Sequence, residues 1–157
     1  MPQNPTVKVK PNKKVKNATP KVYKGKTYRS ELEVYCAEQL DLYGVVFQYE
    51  ENKFVLQDKF KSPNISIEPF ETKGVKKFEP LNTNIRAICY TPDFVDPGLK
   101  WVIEVKGHRT NEFDIKWKMF KSWLSDNMIL ADLYLPTNRK QVLYCVQLIK
   151  NKLNVQN

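Results

Sequence analysis

The sequence ICYTPDFVDPGLKWVIEVKG, residues 88–107, decides the fold that we expect for this chain. It contains two short apolar runs, 88–94 and 101–105, separated by Asp96-Pro97-Gly98. Because Pro and Gly at these positions favour a tight turn, the segment predicts a strand, a turn and a second strand.

Two carboxylates and a lysine accompany these strands. Asp93 stands at the end of the first strand, and Glu104 and Lys106 lie near the end of the second. Side chains at i and i+2 of a strand share a face, and hairpin pairing would bring Asp93 beside them. Because buried charges need partners, this set needs a compensating ion. Carboxylate oxygens suit Mg²⁺ or Mn²⁺, whose coordination phosphate oxygens often complete, so the pattern indicates phosphodiester chemistry.

Helical patterns lie on both sides of this unit. Ser30 followed by Glu33 is a capping-box pattern, and the helical spacing of apolar residues that follows predicts a helix over 30–43. Apolar residues at steps of 4, 3 and 4 from Phe113 onward predict a second helix over 111–125.

The other elements have weaker patterns. A strand or hairpin is expected over 45–56 and a strand over 129–135. A last helix would follow a cap at Thr137 or Asn138, with a strand over 142–147 as the alternative.

The charge of the chain is concentrated at its N-terminus. The 157 residues have a net charge of +9, and residues 1–28 hold eight Lys and no acid, which leaves 9 − 8 = +1 for the other 129 residues. We therefore expect a flexible basic arm over 1–27 and one folded domain over 28–157, with an insertion at about 57–86. The arm suits phosphate binding, and a solvated terminus without a partner is the alternative.

The cysteines and the hydropathy of the chain indicate the cellular compartment in which we expect the protein. The three cysteines are far apart and odd in number, which favours a reducing compartment. We see no secretory signal and no apolar run near the roughly 20 residues that span a bilayer. The expectation is a cytoplasmic protein without a membrane partner.

Thr91-Pro92-Asp93-Phe94 and Ile103-Glu104-Val105-Lys106-Gly107 resemble the motif of the PD-(D/E)xK nuclease superfamily, and the ten residues between Asp93 and Glu104 are typical of it. Upstream, Tyr28-Arg29-Ser30-Glu31-Leu32-Glu33 resembles the helix start of phage endonuclease I type Holliday-junction resolvases. A similar element occurs in related phage endonucleases and in the cutting subunit of some transposases. If a phage encodes this chain, we expect it in the host cytoplasm. The resemblance covers most of residues 28–125.

The resemblance implies a fold and a site. The fold would be α/β, a restriction-endonuclease-like αβββαβ core with a mixed central sheet flanked by helices. Glu33, Asp93 and Glu104 would be catalytic metal ligands, joined by the backbone carbonyl of Val105, and Lys106 would orient or help deprotonate the attacking water. The site would hold two Mg²⁺ ions, for which Mn²⁺ could substitute.

The resemblance also implies an activity, that of a metal-dependent DNA endonuclease selective for branched or junction DNA. A homodimer is one expectation, although the insertion departs from the resolvase pattern and leaves a monomer open. DNA contacts are expected from basic residues of the arm, the first helix start and the second helix, namely Lys13, Lys14, Lys16, Arg29, Lys116 and Lys118.

Several alternatives stay open. The chain could be a non-catalytic DNA-binding protein on a nuclease scaffold, or the DNA-cutting subunit of a transposition or restriction system. Glu33 could act only as a helix cap, and Arg29 could form a surface ion pair. His108 could touch the substrate, but a structural role is the simpler interpretation. The string Glu71-Thr72-Lys73-Gly74 repeats part of the motif, with flanks that contain Pro and suit a loop.

Overall fold

The turn at Asp96-Pro97-Gly98 forms as predicted in the computed structural model of this chain, which describes residues 19–81 and 84–155. The Asp96 Oδ2 atom accepts hydrogen bonds from the backbone N–H groups of Gly98 at 2.9 Å and Lys100 at 3.0 Å. This Asp-centred turn joins two antiparallel strands, in which Phe94 faces Ile103.

The described residues form three helices and several sheets. In chain order the elements are β1 (Lys21–Tyr23), β2 (Lys26–Tyr28), α1 (Glu31–Leu42), β3 (Gln48–Tyr49), β4 (Phe54–Gln57), β5 (Phe60–Lys61), β6 (Ile67–Thr72), β7 (Val75–Pro80), β8 (Asn84–Ile85), β9 (Ile88–Tyr90), β10 (Phe94–Val95), β11 (Trp101–Ile103), α2 (Asn111–Asp126), β12 (Asp132–Tyr134) and α3 (Arg139–Val155).

A mixed four-stranded sheet lies at the centre, with the order β12-β11-β10-β3. Strand β10 runs antiparallel to both β3 and β11, whereas β11 and β12 are parallel. The prediction of a mixed α/β fold is therefore confirmed.

Alternation along the central strands builds two cores. Phe94, Trp101 and Ile103 belong to a cluster that includes buried residues of α1 and α3. Val95 and Val102 point to the other face and belong to a cluster that includes the apolar side of α2. Because β10 and β11 are buried on both faces, the sequence of each is a continuous apolar run.

The predicted helices begin at the expected caps. The Ser30 Oγ atom accepts from the Glu33 N–H at 3.2 Å, and the Thr110 Oγ1 atom accepts from the Phe113 N–H at 3.2 Å. Asn138 Oδ1 accepts from the Gln141 N–H at 3.0 Å at the start of α3. Helix α3 forms in place of the alternative strand over 142–147.

The insertion at 57–86 is a two-stranded ribbon. Three successive antiparallel ladders, β4 with β9, β5 with β8 and β6 with β7, follow one another outward from the sheet. Lys73 and Gly74 make the distal turn with positive φ angles of 51° and 80°. Pro69 and Pro80 lie within β6 and β7, where a ribbon with open edges tolerates the missing N–H groups.

The structure differs from the predicted flexible arm over residues 21–27. Strands β1 and β2 form a hairpin, and the buried side chain of Tyr28 holds it to the core. Lys24 forms an ion pair with Asp41 of α1 at 2.8 Å, and the Tyr23 hydroxyl donates to the same carboxylate at 3.0 Å. The part of the arm over 1–18, with Lys13, Lys14 and Lys16, lies outside the described residues.

Two further observations concern the whole described chain. Within residues 19–81 and 84–155, no helix has the length and apolar character needed to cross a membrane. The three cysteines are free thiols, of which Cys36 and Cys145 are buried and Cys89 is half-buried.

Candidate active site

Three charged side chains are buried in the described part of the chain, and all three are acidic. Glu33 is 7% exposed, Asp93 is 5% exposed and Glu104 is 2% exposed. Glu33 lies in the first turn of α1, Asp93 precedes β10, and Glu104 follows β11. These are the three carboxylates that the sequence singled out.

The β10–β11 pair brings Asp93 and Glu104 together. The Val105 N–H donates to Asp93 Oδ2 at 2.7 Å, and the Asp93 N–H donates to Glu104 Oε2 at 3.2 Å. Each carboxylate is therefore held by a backbone group of the opposite strand end. This arrangement fixes both side chains at one edge of the hairpin.

Lys106 completes this group, as the strand periodicity predicted. Its Nζ atom lies 2.6 Å from Glu104 Oε1 and 4.8 Å from the centre of the Phe113 ring. Burial works to lower the pKa of Lys106, but Glu104, with Asp93 and Glu33, outweighs burial and raises that pKa above its ordinary value. Lys106 is therefore a fixed positive charge at the site.

Glu33 serves both as a capping residue and as a member of the acidic group. Its Oε1 atom accepts from the Ser30 hydroxyl at 3.0 Å. Its Oε2 atom accepts from the Tyr49 hydroxyl at 2.6 Å and from the Arg29 N–H at 3.0 Å. The two interpretations of Glu33 are thus compatible, because its charge also acts on Asp93 and Lys106.

Negative charge is in excess at this site. Burial, followed by the nearby charges of Glu104 and Glu33, raises the pKa of Asp93 well above its ordinary value, and Lys106 only partly opposes this. Such a group requires either a proton or a cation.

The donor set fits a hard divalent cation such as Mg²⁺. Within residues 19–81 and 84–155, no three Asp, Glu, His or Cys side chains are grouped closely enough to hold a metal ion by themselves. That arrangement is compatible with Mg²⁺, which commonly keeps several waters and uses one or two carboxylates together with substrate phosphates.

A further carboxylate, Glu50, was not identified from the sequence. It directly follows β3, its φ angle is +51°, and its N–H donates to the Asp93 carbonyl at 2.9 Å. Burial raises the pKa of Glu50, Arg29 opposes that rise, and Glu33 and Glu104 add to it. Only the alternation of residues 45–50 could have pointed to Glu50, because no chemical motif surrounds it.

Tyr90 was predicted only as a strand residue, but it contacts the site directly. Its hydroxyl donates to Glu104 Oε2 at 2.7 Å, and its ring lies 5.1 Å from that of Phe120. Burial, followed by the charge and the hydrogen bond of Glu104, raises the pKa of Tyr90. The hydroxyl therefore stays protonated and supports Glu104.

The remaining predicted residues lie farther out. Arg29 forms an ion pair with Glu50 at 2.6 Å, and Lys116 pairs with Glu112 at 2.9 Å along α2. Lys118 and His108 are exposed. The string at 71–74 lies at the distal turn of the ribbon and is exposed.

Searches of the chain against models of protein families, curated proteins and solved structures found no match.

Proposed function

We propose that this chain is a metal-dependent DNA endonuclease with the restriction-endonuclease-like core of the PD-(D/E)xK nucleases, which its motif resembles. The observation that carries the proposal is the burial of Glu33, Asp93 and Glu104 beside Lys106. The order of α1, β3, β10, β11, α2 and β12 along the chain supports it, since this order is αβββαβ.

The carboxylates provide ligands for Mg²⁺ or Mn²⁺. Asp93 and Glu104, with the Val105 carbonyl, would hold one ion, and Glu33 would serve a second. When bound, such an ion lowers the pKa of a coordinated water and stabilises charge that accumulates on the phosphate.

Lys106 has a separate role in this proposal. Its ammonium group is a compact charge with several N–H donors, which suits it to orient a water molecule or a phosphate oxygen. The Glu104 carboxylate at 2.6 Å and the face of the Phe113 ring restrict its position. Because its pKa is raised, Lys106 is charged at neutral pH and acts first as an electrostatic and positioning group.

Basic groups outside the site support DNA as the substrate. Residues 1–18 contain five Lys and no acid, and Arg29 is exposed directly before Ser30. The finer proposal, branched DNA, is supported by the resemblance of residues 28–33 to the helix start of the junction resolvases.

The test is cleavage of labelled four-way junction, flap, linear duplex and single-stranded DNA, each with Mg²⁺, Mn²⁺ or EDTA. We expect metal-dependent cleavage by the wild type and a loss of at least about 100-fold in Asp93→Asn, since a metal ligand is removed. The matched control is Asp126→Asn, which changes an exposed carboxylate at the end of α2. This variant should cleave DNA at the wild-type rate.

Cleavage that persists in EDTA, or that Asp93→Asn leaves unchanged, would contradict the proposal. Junction binding in EDTA without cleavage under any condition would indicate a non-catalytic DNA-binding protein. Cleavage that appears only with added proteins of a transposition or restriction system would indicate a cutting subunit.

A further inference from the structure

The ribbon over 57–86 has an apolar face that no described residue covers. Directly opposed residues of an antiparallel ladder project from the same face, and the register pairs Ile67 with Pro80 and Pro69 with Phe78. All four residues are exposed, and Phe78 is 71% exposed. Packing of the domain core does not explain an aromatic residue at this position, so the face calls for a ligand.

This face is too small for a stable protein interface. Strands β6 and β7 have six residues each. At about 3.3 Å a residue and about 10 Å across two strands, the face measures about 200 Å². A stable protein interface buries about 800 Å² on each partner. Stacking on a nucleic acid base needs only one exposed aromatic ring, so the size of the face favours a base over a protein.

The charge of the ribbon also suits a polyanion. Residues 57–86 contain six basic and four acidic residues, a net charge of 6 − 4 = +2. Two of the acids, Glu68 and Glu79, lie opposite each other on the other face of the ladder. Within β6 and β7, the one acid on the apolar face is Glu71, which lies opposite Lys76. A phosphate beside the apolar face would therefore meet no uncompensated carboxylate.

A lysine stands at the distal end of the ribbon. Lys73 forms the turn with Gly74, is exposed, and has no ion-pair partner in the described part of the chain. Its ammonium group is therefore available to a phosphate oxygen.

The base of the ribbon adjoins the acidic group. Strand β9 ends at Tyr90, whose hydroxyl donates to Glu104 at 2.7 Å. Phe78 precedes Tyr90 by 90 − 78 = 12 residues, which span at most about 40 Å as an extended chain. One helical turn of DNA is about 34–36 Å long. DNA held at the acidic group would therefore pass within reach of Phe78.

We propose that the apolar face of the ribbon contacts DNA at a branch point, where the Phe78 ring stacks on an open base face and Lys73 contacts a nearby phosphate. A branch interrupts the stacking of bases, whereas a linear duplex stacks them continuously, so this contact would select branched DNA. The inference rests on the proposed function, for which it names the element that recognises the substrate. It concerns binding alone and needs no cleavage.

The test measures the affinity of the full chain for labelled four-way junction, flap and linear duplex DNA by fluorescence anisotropy in EDTA. Phe78→Ala should bind the branched DNAs at least tenfold more weakly and the linear duplex with less than a twofold change. Phe78→Tyr should bind like the wild type because it keeps an aromatic ring. Phe78→Leu should bind as weakly as Phe78→Ala, although Leu is also large and apolar.

Two further variants complete the set. Lys73→Gln should reduce the magnitude of the slope of log K against log salt for branched DNA by about 0.9. Val75→Ala is the matched control, because Val75 is 57% exposed and lies opposite Thr72 on the other face of the ribbon. It should bind every DNA like the wild type. The thermal unfolding of Phe78→Ala should match that of the wild type, because Phe78 is exposed.

Three results would overturn the proposal. The first is wild-type affinity of Phe78→Ala for branched DNA, and the second is wild-type affinity of Phe78→Leu, because the contact would then not be stacking. The third is a concentration-dependent dimer, measured by sedimentation, that Phe78→Ala abolishes, because a second copy of this chain would then cover the face.

Cleavage by the wild type with Mg²⁺ separates this proposal from the proposed function. Metal-dependent cleavage together with unchanged binding by Phe78→Ala would reject the ribbon contact alone. A wild type that neither cuts nor binds any of the DNAs would reject both.

Discussion

At the scale of single residues, the carboxylates of the motif accept hydrogen bonds from backbone groups of the same motif. The Asp93 N–H donates to Glu104, and the Val105 N–H donates to Asp93. Low local polarity strengthens such hydrogen bonds, and a partly satisfied network would be costly. The acidic group is therefore held rigidly by the same strand ends that carry it.

Removing the Tyr90 hydroxyl tests how much this group contributes to stability and to metal-dependent cleavage through its hydrogen bond to Glu104. Tyr90→Phe keeps the ring against Phe120 but deletes the 2.7 Å hydrogen bond to Glu104. We expect the free energy of unfolding to fall by about 1–2 kcal/mol, and cleavage to fall about 10-fold or more with a higher metal requirement. Denaturant unfolding and metal titration of cleavage measure these effects.

The exposed Tyr144→Phe on α3 is the control for Tyr90→Phe and should change neither quantity. If Tyr90→Phe cut DNA with wild-type metal dependence, the hydroxyl would have only a packing role.

The raised pKa of Asp93 predicts a pH dependence of stability. Without metal, the native state keeps a proton that the unfolded state releases above its ordinary pKa of about 4. This contribution to stability is therefore complete below about pH 4 and is lost as the pH rises through the folded pKa. The Asp93→Asn variant has no carboxyl proton to release at this position. Its thermal unfolding temperature should therefore decline less than that of the wild type as the pH rises.

Mg²⁺ should reverse this loss in the wild type, because it binds the ionised carboxylates. The increase in unfolding temperature on adding Mg²⁺ is expected to be larger at about pH 8 than at about pH 5. Parallel pH profiles for wild type and Asp93→Asn would refute the assignment of the proton to Asp93.

At the scale of elements, local chemistry made much of the fold predictable. The Ser30 and Thr110 caps specified where α1 and α2 begin, and the turn at 96–98 specified the β10–β11 pair. These signals lie within a few residues of what they determine. Asp93, Glu104 and Lys106 could be found for the same reason, whereas Glu33 was placed in the site by the resemblance of residues 28–33 to a known helix start.

Other features depend on contacts that are distant in sequence. Glu50 reaches the site because β3 pairs with β10, about 45 residues later, in a sheet order that no local pattern encodes. The hairpin of β1 and β2 depends on Lys24 and Tyr23 contacting Asp41. The ribbon strands contain Pro and alternate poorly, so their pairing was not visible in the sequence.

The ribbon should be separable from the domain. Gln57 faces Ile88 in the β4–β9 ladder, so Asn-Gly in place of residues 58–87 can close a two-residue hairpin. Strands β6 and β7 are exposed apart from the half-buried Phe70. We therefore expect the unfolding temperature to change by no more than about 3 °C, as measured by calorimetry.

A substitution at the base of the same ribbon gives the contrast. Phe54 packs 4.9 Å from the Phe120 ring and 5.1 Å from the Trp123 ring, so Phe54→Ala should destabilise the domain by about 2–3 kcal/mol. If the ribbon replacement destabilised the domain as much as Phe54→Ala, the distal ribbon would contribute to the core.

At the scale of the whole molecule, β11 connects two separate surfaces. Its C-terminal end leads to Glu104 and Lys106, and its N-terminal end leads from a groove at Lys100 and Trp101. The acidic site and the mainly apolar groove therefore lie at opposite ends of one sheet.

The basic N-terminus should act on DNA affinity without acting on the fold. Residues 1–18 carry five of the 26 basic residues and no acid, so their removal changes the net charge from +9 to 9 − 5 = +4. Each phosphate contact contributes about −0.9 to the slope of log K against log salt. Deleting residues 1–18 should therefore reduce the magnitude of that slope by up to about 4.5, as measured by fluorescence anisotropy in EDTA.

A variant with the five lysines of residues 1–18 changed to Gln separates charge from chain length, and it should reproduce the effect of the deletion. Both variants keep β1, β2 and the acidic group, so their thermal unfolding should match that of the wild type. An unchanged salt slope would show that these lysines make no phosphate contacts, and DNA would then be held by the folded domain, whose Arg29 and Lys118 are exposed.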